Sequence, residues 1–147
     1  MNLLRYEYFT EGKAELFKFT SIVPNGEVKK LVVYSKMLEN DIYNLAFGDY
    51  NEDTGSIDDK IITNNSDSQK ILATVASTLY VFTNKHPNVS VYAAGSNKAR
   101  TRLYRMGITT NLEAILPDFH VFGLQNDVWN EFETGEEYEA FLVKRKI

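Results

Sequence analysis

Residues 90–108, SVYAAGSNKARTRLYRMGI, change character twice within a short span. A β-prone run gives way at Gly95, Ser96 and Asn97 to a helix-forming run that carries Lys98, Arg100, Arg102 and Arg105. A strand that turns at once into a helix calls for helices packed on a sheet. The same turn sets backbone N–H groups at a helix N-terminus beside four cationic side chains, which is the layout of an anion site.

The rest of the chain supplies the sheet and a second helix. Residues 16–22 (LFKFTSI) alternate apolar and polar, Pro24, Asn25 and Gly26 interrupt, and residues 28–37 (VKKLVVYSKM) resume with β-branched side chains. Asn25-Gly26 between two such runs predicts a β-hairpin. Residues 41–48 (DIYNLAFG) read as a third strand, and residues 49–66 as an acidic loop long enough to be functional or mobile. Ser66 or Asp67 caps a helix reaching about Lys85, with Ile71, Leu72, Val75, Ala76, Leu79 and Phe82 as its apolar stripe.

His86-Pro87-Asn88 stops that helix, and residues 89–94 form a strand. The arginine-rich helix follows over residues 97–106 and is closed by Gly107, with a further helical turn at 111–116 before Pro117. Residues 120–124 and 138–144 read as closing strands, joined by a segment holding Trp129, Phe132 and Gly135. The order β-β-β-α-β-α-β-β predicts an α+β fold: a mixed, mainly antiparallel central sheet with two principal helices, in a single domain over residues 1–147.

Composition narrows the function classes. Hydrophobic residues make up 44% of the 147 and aromatic residues 13%, enough for a core and against disorder. Sixteen Lys and Arg against 20 Asp and Glu give a net charge of −4, so any basic site must be local. Without cysteine there are no disulfides, thiolate nucleophiles or cysteine metal sites. MNLLRYEYFTEGK at the N-terminus has no secretory apolar core, and no long apolar run follows; a cytoplasmic protein with no membrane role is expected. No G-x-S-x-G elbow, P-loop or dinucleotide fingerprint occurs.

On a wheel of about 100° per residue, Ala99, Leu103 and Met106 share one arc, predicted to face the core. Lys98, Arg102 and Arg105 then point outward, with Arg100 and Tyr104 on a flank. Two uses compete for these cations. They bind an anionic partner (a phosphate-bearing small molecule, a nucleic acid or an acidic protein), or they pair internally with Asp58, Asp59 and Asp67. The candidate ligand-binding set is Gly95, Ser96, Asn97, Lys98, Arg100, Arg102 and Arg105, with no cofactor or metal called for.

Three weaker signals complete the reading. Asp49, Asn51 and Asp53 begin like a calcium loop, but Thr54 and Lys60 stand where that loop needs Gly and Glu. His86 falls at a helix end and His120 at a strand start, too far apart in pattern to share a metal. The tail Lys144, Arg145, Lys146 reads as a charged strand end that discourages edge pairing, with extension of a nucleic-acid patch as the alternative.

YNLAFGD (43–49), SDSQKILATVA (66–76), GSNKARTRLYR (95–105) and YEAFLVKRK (138–146) together resemble a bacterial family of small proteins known only as a domain of unknown function. That resemblance spans nearly the whole chain and implies no activity. The element order, with Asn97, Leu103-Tyr104 and Gly107, is also similar to the second half of Gcn5-related N-acetyltransferases. It implies acetyl-CoA as cofactor, Asn97 on the pantetheine arm and Tyr104 as general acid. The sequence departs from that pattern at Arg100 and Ile108 and lacks the glycine-rich pyrophosphate loop in residues 64–74. A gap between the central strands near Gly48 and Ala94, open as a tunnel, would favour the enzyme.

Overall fold

The computed structural model describes residues 5–24, 26–38, 41–58 and 67–146. The elements in chain order are β1 (Tyr8–Thr10), β2 (Leu16–Val23), β3 (Gly26–Lys36), β4 (Ile42–Asn51), β5 (Ser56–Asp58), α1 (Ser68–Lys85), β6 (Ser90–Ala93), α2 (Lys98–Ile115), β7 (Phe119–Gln125), β8 (Val128–Glu131) and β9 (Ala140–Arg145). The expected α+β class holds: among the described residues two helices accompany a mixed, mostly antiparallel sheet.

The strand order is β1-β2-β3-β4-β6-β9-β7-β8, with β5 paired to β4. The β2–β3 hairpin forms in the expected place, its register closing at Val23 opposite Gly26; Asn25 lies outside the described residues. β4 and β6 are the parallel pair, and α1 is the crossover between them. The first stretch of the acidic loop is a hairpin, β5 folding back on the end of β4; Asp59 and Lys60 lie outside the described residues.

Alternate side chains of the sheet meet α1 and α2 in one aromatic core. Tyr34 stacks on Phe82 at 4.1 Å and Tyr80 meets Phe119 edge-on at 5.1 Å. Phe17, Val32, Val91 and Phe141 complete its centre. The stripe predicted for α1 is observed, with Ile71, Leu72, Val75, Leu79 and Phe82 buried. Its cap is not. Asp67 stands at the N-cap position, yet its carboxylate accepts from the Tyr6 and Ser21 hydroxyls instead of a helix amide; Ser66 lies outside the described residues.

α2 departs from expectation in two ways. It runs unbroken through Gly107 to Ile115 and takes in the predicted separate turn. A Cβ at Gly107 would lie 3.0 Å from Leu72 Cδ2, so the glycine serves the close approach of the two helices. The buried stripe is Arg100, Tyr104, Asn111 and Ile115, whereas Ala99 and Met106 are exposed. The helix is therefore rotated from the orientation that apolar side chains alone predict.

The C-terminal strand also corrects the sequence reading. β9 inserts between β6 and β7, so it is an interior strand and needs no protection against edge pairing. Arg145 lies over the rings of Tyr80 and Phe119 and donates to Thr83 Oγ1 at 2.9 Å, and Lys146 donates to Leu116 O at 2.7 Å. The exposed β8, which carries Trp129, forms within the segment read as a connection. No described helix is long and apolar enough to cross a membrane.

Candidate functional site

α2 begins where the sequence places it, after the turn at Gly95. Asn97 is its N-cap: the backbone is extended there and the side chain accepts from Arg100 N at 2.9 Å. Gly95 is required by sterics, because a Cβ would sit 2.3 Å from Thr101 N. Its amide donates to Thr101 Oγ1 at 3.0 Å, so this N–H belongs to the turn.

Beyond the cap, the candidate residues divide between two sides of the helix. On the inner side, β4 and β6 pair only from Ile42 to Asn44 and then part. The exposed edge of β4 is taken up by α2. Tyr104 Oη donates to Leu45 O at 3.2 Å and accepts from Phe47 N at 3.3 Å. Arg100, only 4% exposed, donates to Phe47 O and lies 5.0 Å over the Phe47 ring. The strands thus separate, and Arg100 and Tyr104 bond the backbone edge of β4 that the separation leaves, with a cavity of about 60 Å³ lined in part by Leu45 and Phe47 of β4 and Val91 and Ala93 of β6. Both side chains serve the backbone of β4.

On the outer side, Asn97, Lys98, Arg102 and Arg105 line an open groove of about 980 Å³. The facing wall is Gln125, Asn126, Glu137, Tyr138 and Glu139, contributed by the end of β7 and the segment leading into β9. Arg105 donates to Glu136 O at 3.3 Å. Among the described residues, Lys98 and Arg102 are exposed and have no hydrogen-bond or ion-pair partner. The ion pairs of the described residues lie elsewhere, Lys29 with Glu52 and the largely buried Lys30 with Asp49.

Residues 2–146 match DUF6934, described as a family of unknown function. The chain belongs to DUF6934. No curated protein and no solved structure matches it, and the acetyltransferase resemblance gains no support. Within this DUF6934 chain the other sequence signals resolve locally. Asp49 is held by Lys30, and Asn51 Oδ1 accepts from Asp53 N at 3.0 Å in the turn before β5. His86 caps the end of α1 and stacks on Phe82 at 4.6 Å, with Nε2 3.0 Å from Lys13 O. His120 is exposed on β7 beside Phe122.

The acidic wall of the groove was not legible in the sequence. Glu137 and Glu139 reach α2 only because β9 lies between β6 and β7, and no local pattern states that order.

Proposed function

We propose that this DUF6934 chain is a binding module for an anionic or phosphate-bearing partner, held on the outer wall of α2 by Lys98, Arg102 and Arg105. The observation that carries this reading is the condition of Lys98 and Arg102: exposed, lining a groove, and without a counter-ion among the described residues. Internal pairing would instead leave these side chains occupied. Arginine provides a planar fork matched to phosphate or carboxylate oxygens, and lysine adds a point charge one helical turn away. Arg100 is left out of the binding set because its guanidinium is buried against Phe47.

Glu137 and Glu139 on the facing wall constrain the partner. Its negative group docks against α2, and the part crossing the groove is neutral or positive, since a polyanion spanning both walls would be repelled.

The test is thermal unfolding with inorganic phosphate, ATP and a short single-stranded RNA as separate probes. A probe at about 100 times its dissociation constant adds roughly 2.7 kcal/mol, a rise of several degrees at this chain length. The expected result is a rise with a phosphate-bearing probe that Lys98→Gln/Arg102→Gln removes. No rise with any probe, or a rise the double variant retains, overturns the reading.

A further inference from the structure

The groove on the outer side of α2 has two charged walls of opposite sign. Lys98 and Arg102 stand on the helix, and Glu137 and Glu139 on the segment that leads into β9. All four side chains are exposed, and no ion pair bridges the groove: the ion pairs of the described residues are Lys29 with Glu52 and Lys30 with Asp49. The two walls therefore present opposite charges to one occupant.

The acidic wall is held in place by the fold. Glu139 N donates to Leu124 O at 2.8 Å, Gln125 Nε2 donates to Glu137 O at 2.8 Å, and Tyr138 Oη accepts from Glu133 N at 2.8 Å. Tyr138 is 8% exposed and lies on Gly123, where a Cβ would come within 2.3 Å of its ring. With Tyr138 turned into the core, its neighbours Glu137 and Glu139 are left on the surface that lines the groove. Arg105 joins the walls by donating to Glu136 O at 3.3 Å. The enclosed volume of about 980 Å³ is that of a small-molecule site, for which roughly 300–1,000 Å³ is usual.

Electrostatics select the occupant. A simple anion on Lys98 and Arg102 is repelled by the facing carboxylates, and a simple cation on Glu137 and Glu139 is repelled by the helix. A molecule with an anion at one end and a protonated amine at the other is attracted by both walls. Resting on the anion-binding reading of α2, we infer that the groove receives a small soluble zwitterion, its phosphate on Lys98 and Arg102 and its amine on Glu137 and Glu139.

The probes are 3-aminopropyl phosphate and propyl phosphate, which share the phosphate and differ by the amine. NMR titrations of the full chain should show the amino phosphate binding about two- to fivefold more tightly, the effect of one exposed ion pair. Glu137→Gln/Glu139→Gln should erase that advantage and leave propyl phosphate bound at least as tightly as by the wild type. Equal binding of the two probes by the wild type, or an advantage that survives in the double variant, overturns the zwitterion and leaves the anion site standing. Binding of neither removes the anion site and this inference with it. Vesicles containing phosphatidylethanolamine carry the same two groups on a lipid; a chain that sediments with them and ignores the free amino phosphate would overturn a soluble ligand.

Discussion

The two sides of α2 carry the same kinds of side chain and use them in opposite ways. On the inner side, Arg100 and Tyr104 spend their polar atoms on the open backbone edge of β4. On the outer side, Lys98 and Arg102 have no partner among the described residues. Residue type therefore does not decide role here. What decides it is whether the helix faces an unpaired strand edge, where a donor is needed for folding, or solvent, where a cation remains available.

The sharpest way to break this contrast is to remove one arginine from each side. Arg100→Ala leaves Phe47 O buried without its donor and takes away the stem packed on the Phe47 ring. A loss of about 3 kcal/mol is expected, or roughly 10 °C in the thermal midpoint. Arg102→Ala should stay within about 0.5 kcal/mol of wild type. Equal losses in paired chemical denaturation curves would mean that the two sides do not differ. Tyr104→Phe is the smaller inner-side change: it keeps the ring against Phe47 and deletes only the hydroxyl, so about 1–2 kcal/mol should be lost.

The same contrast explains which parts of the molecule were legible in the sequence. α1 declares itself because its buried positions are apolar and correctly spaced, from Ile71 to Phe82. The strands 16–22, 28–37 and 41–48 declare themselves by alternation and by the turn after Val23. α2 misleads because its inward stripe is Arg100, Tyr104, Asn111 and Ile115, so counting apolar side chains turns the helix the wrong way. Gly107 misleads for a similar reason: a glycine needed for contact with Leu72 looks locally like a helix end. The basic half of the groove is visible as a run of cations, while its acidic half depends on the place of β9 in the sheet.

Tyr80 sharpens the comparison at the far end of α2. Its hydroxyl donates to Ala114 O at 3.0 Å and to Asp118 Oδ2 at 2.7 Å, joining α1 to the end of α2. Burial, and then the hydrogen bond to the Asp118 carboxylate, push its ionisation up to about 12. An unfolded tyrosine ionises near 10, so above that pH the unfolded chain loses this proton first and is favoured. The contribution is complete below about pH 10 and declines as pH rises toward about 12. Tyr80→Phe should lower stability at neutral pH by about 1 kcal/mol and flatten the alkaline decline. An unchanged alkaline slope in urea midpoints would remove Tyr80 from this role.

The smallest expected effect bears most directly on function, because its sign is diagnostic. Lys98 and Arg102 stand one turn apart at the start of a helix whose first turn has no acidic residue. Lys98 in that first turn opposes the helix dipole, at a cost of about 0.3–1 kcal/mol at low salt, and like charges at this spacing repel by a few tenths more. Charges that served only stability would gain nothing from this placement, and the binding role proposed above accounts for it. Lys98→Gln/Arg102→Gln should therefore be as stable as wild type or more stable by about 0.5 kcal/mol, and raising the salt should erase the gain by screening. Urea midpoints at low and high salt measure it directly. A variant less stable than wild type would show the two cations engaged within the fold, and the outer side of α2 would then be structural like the inner one.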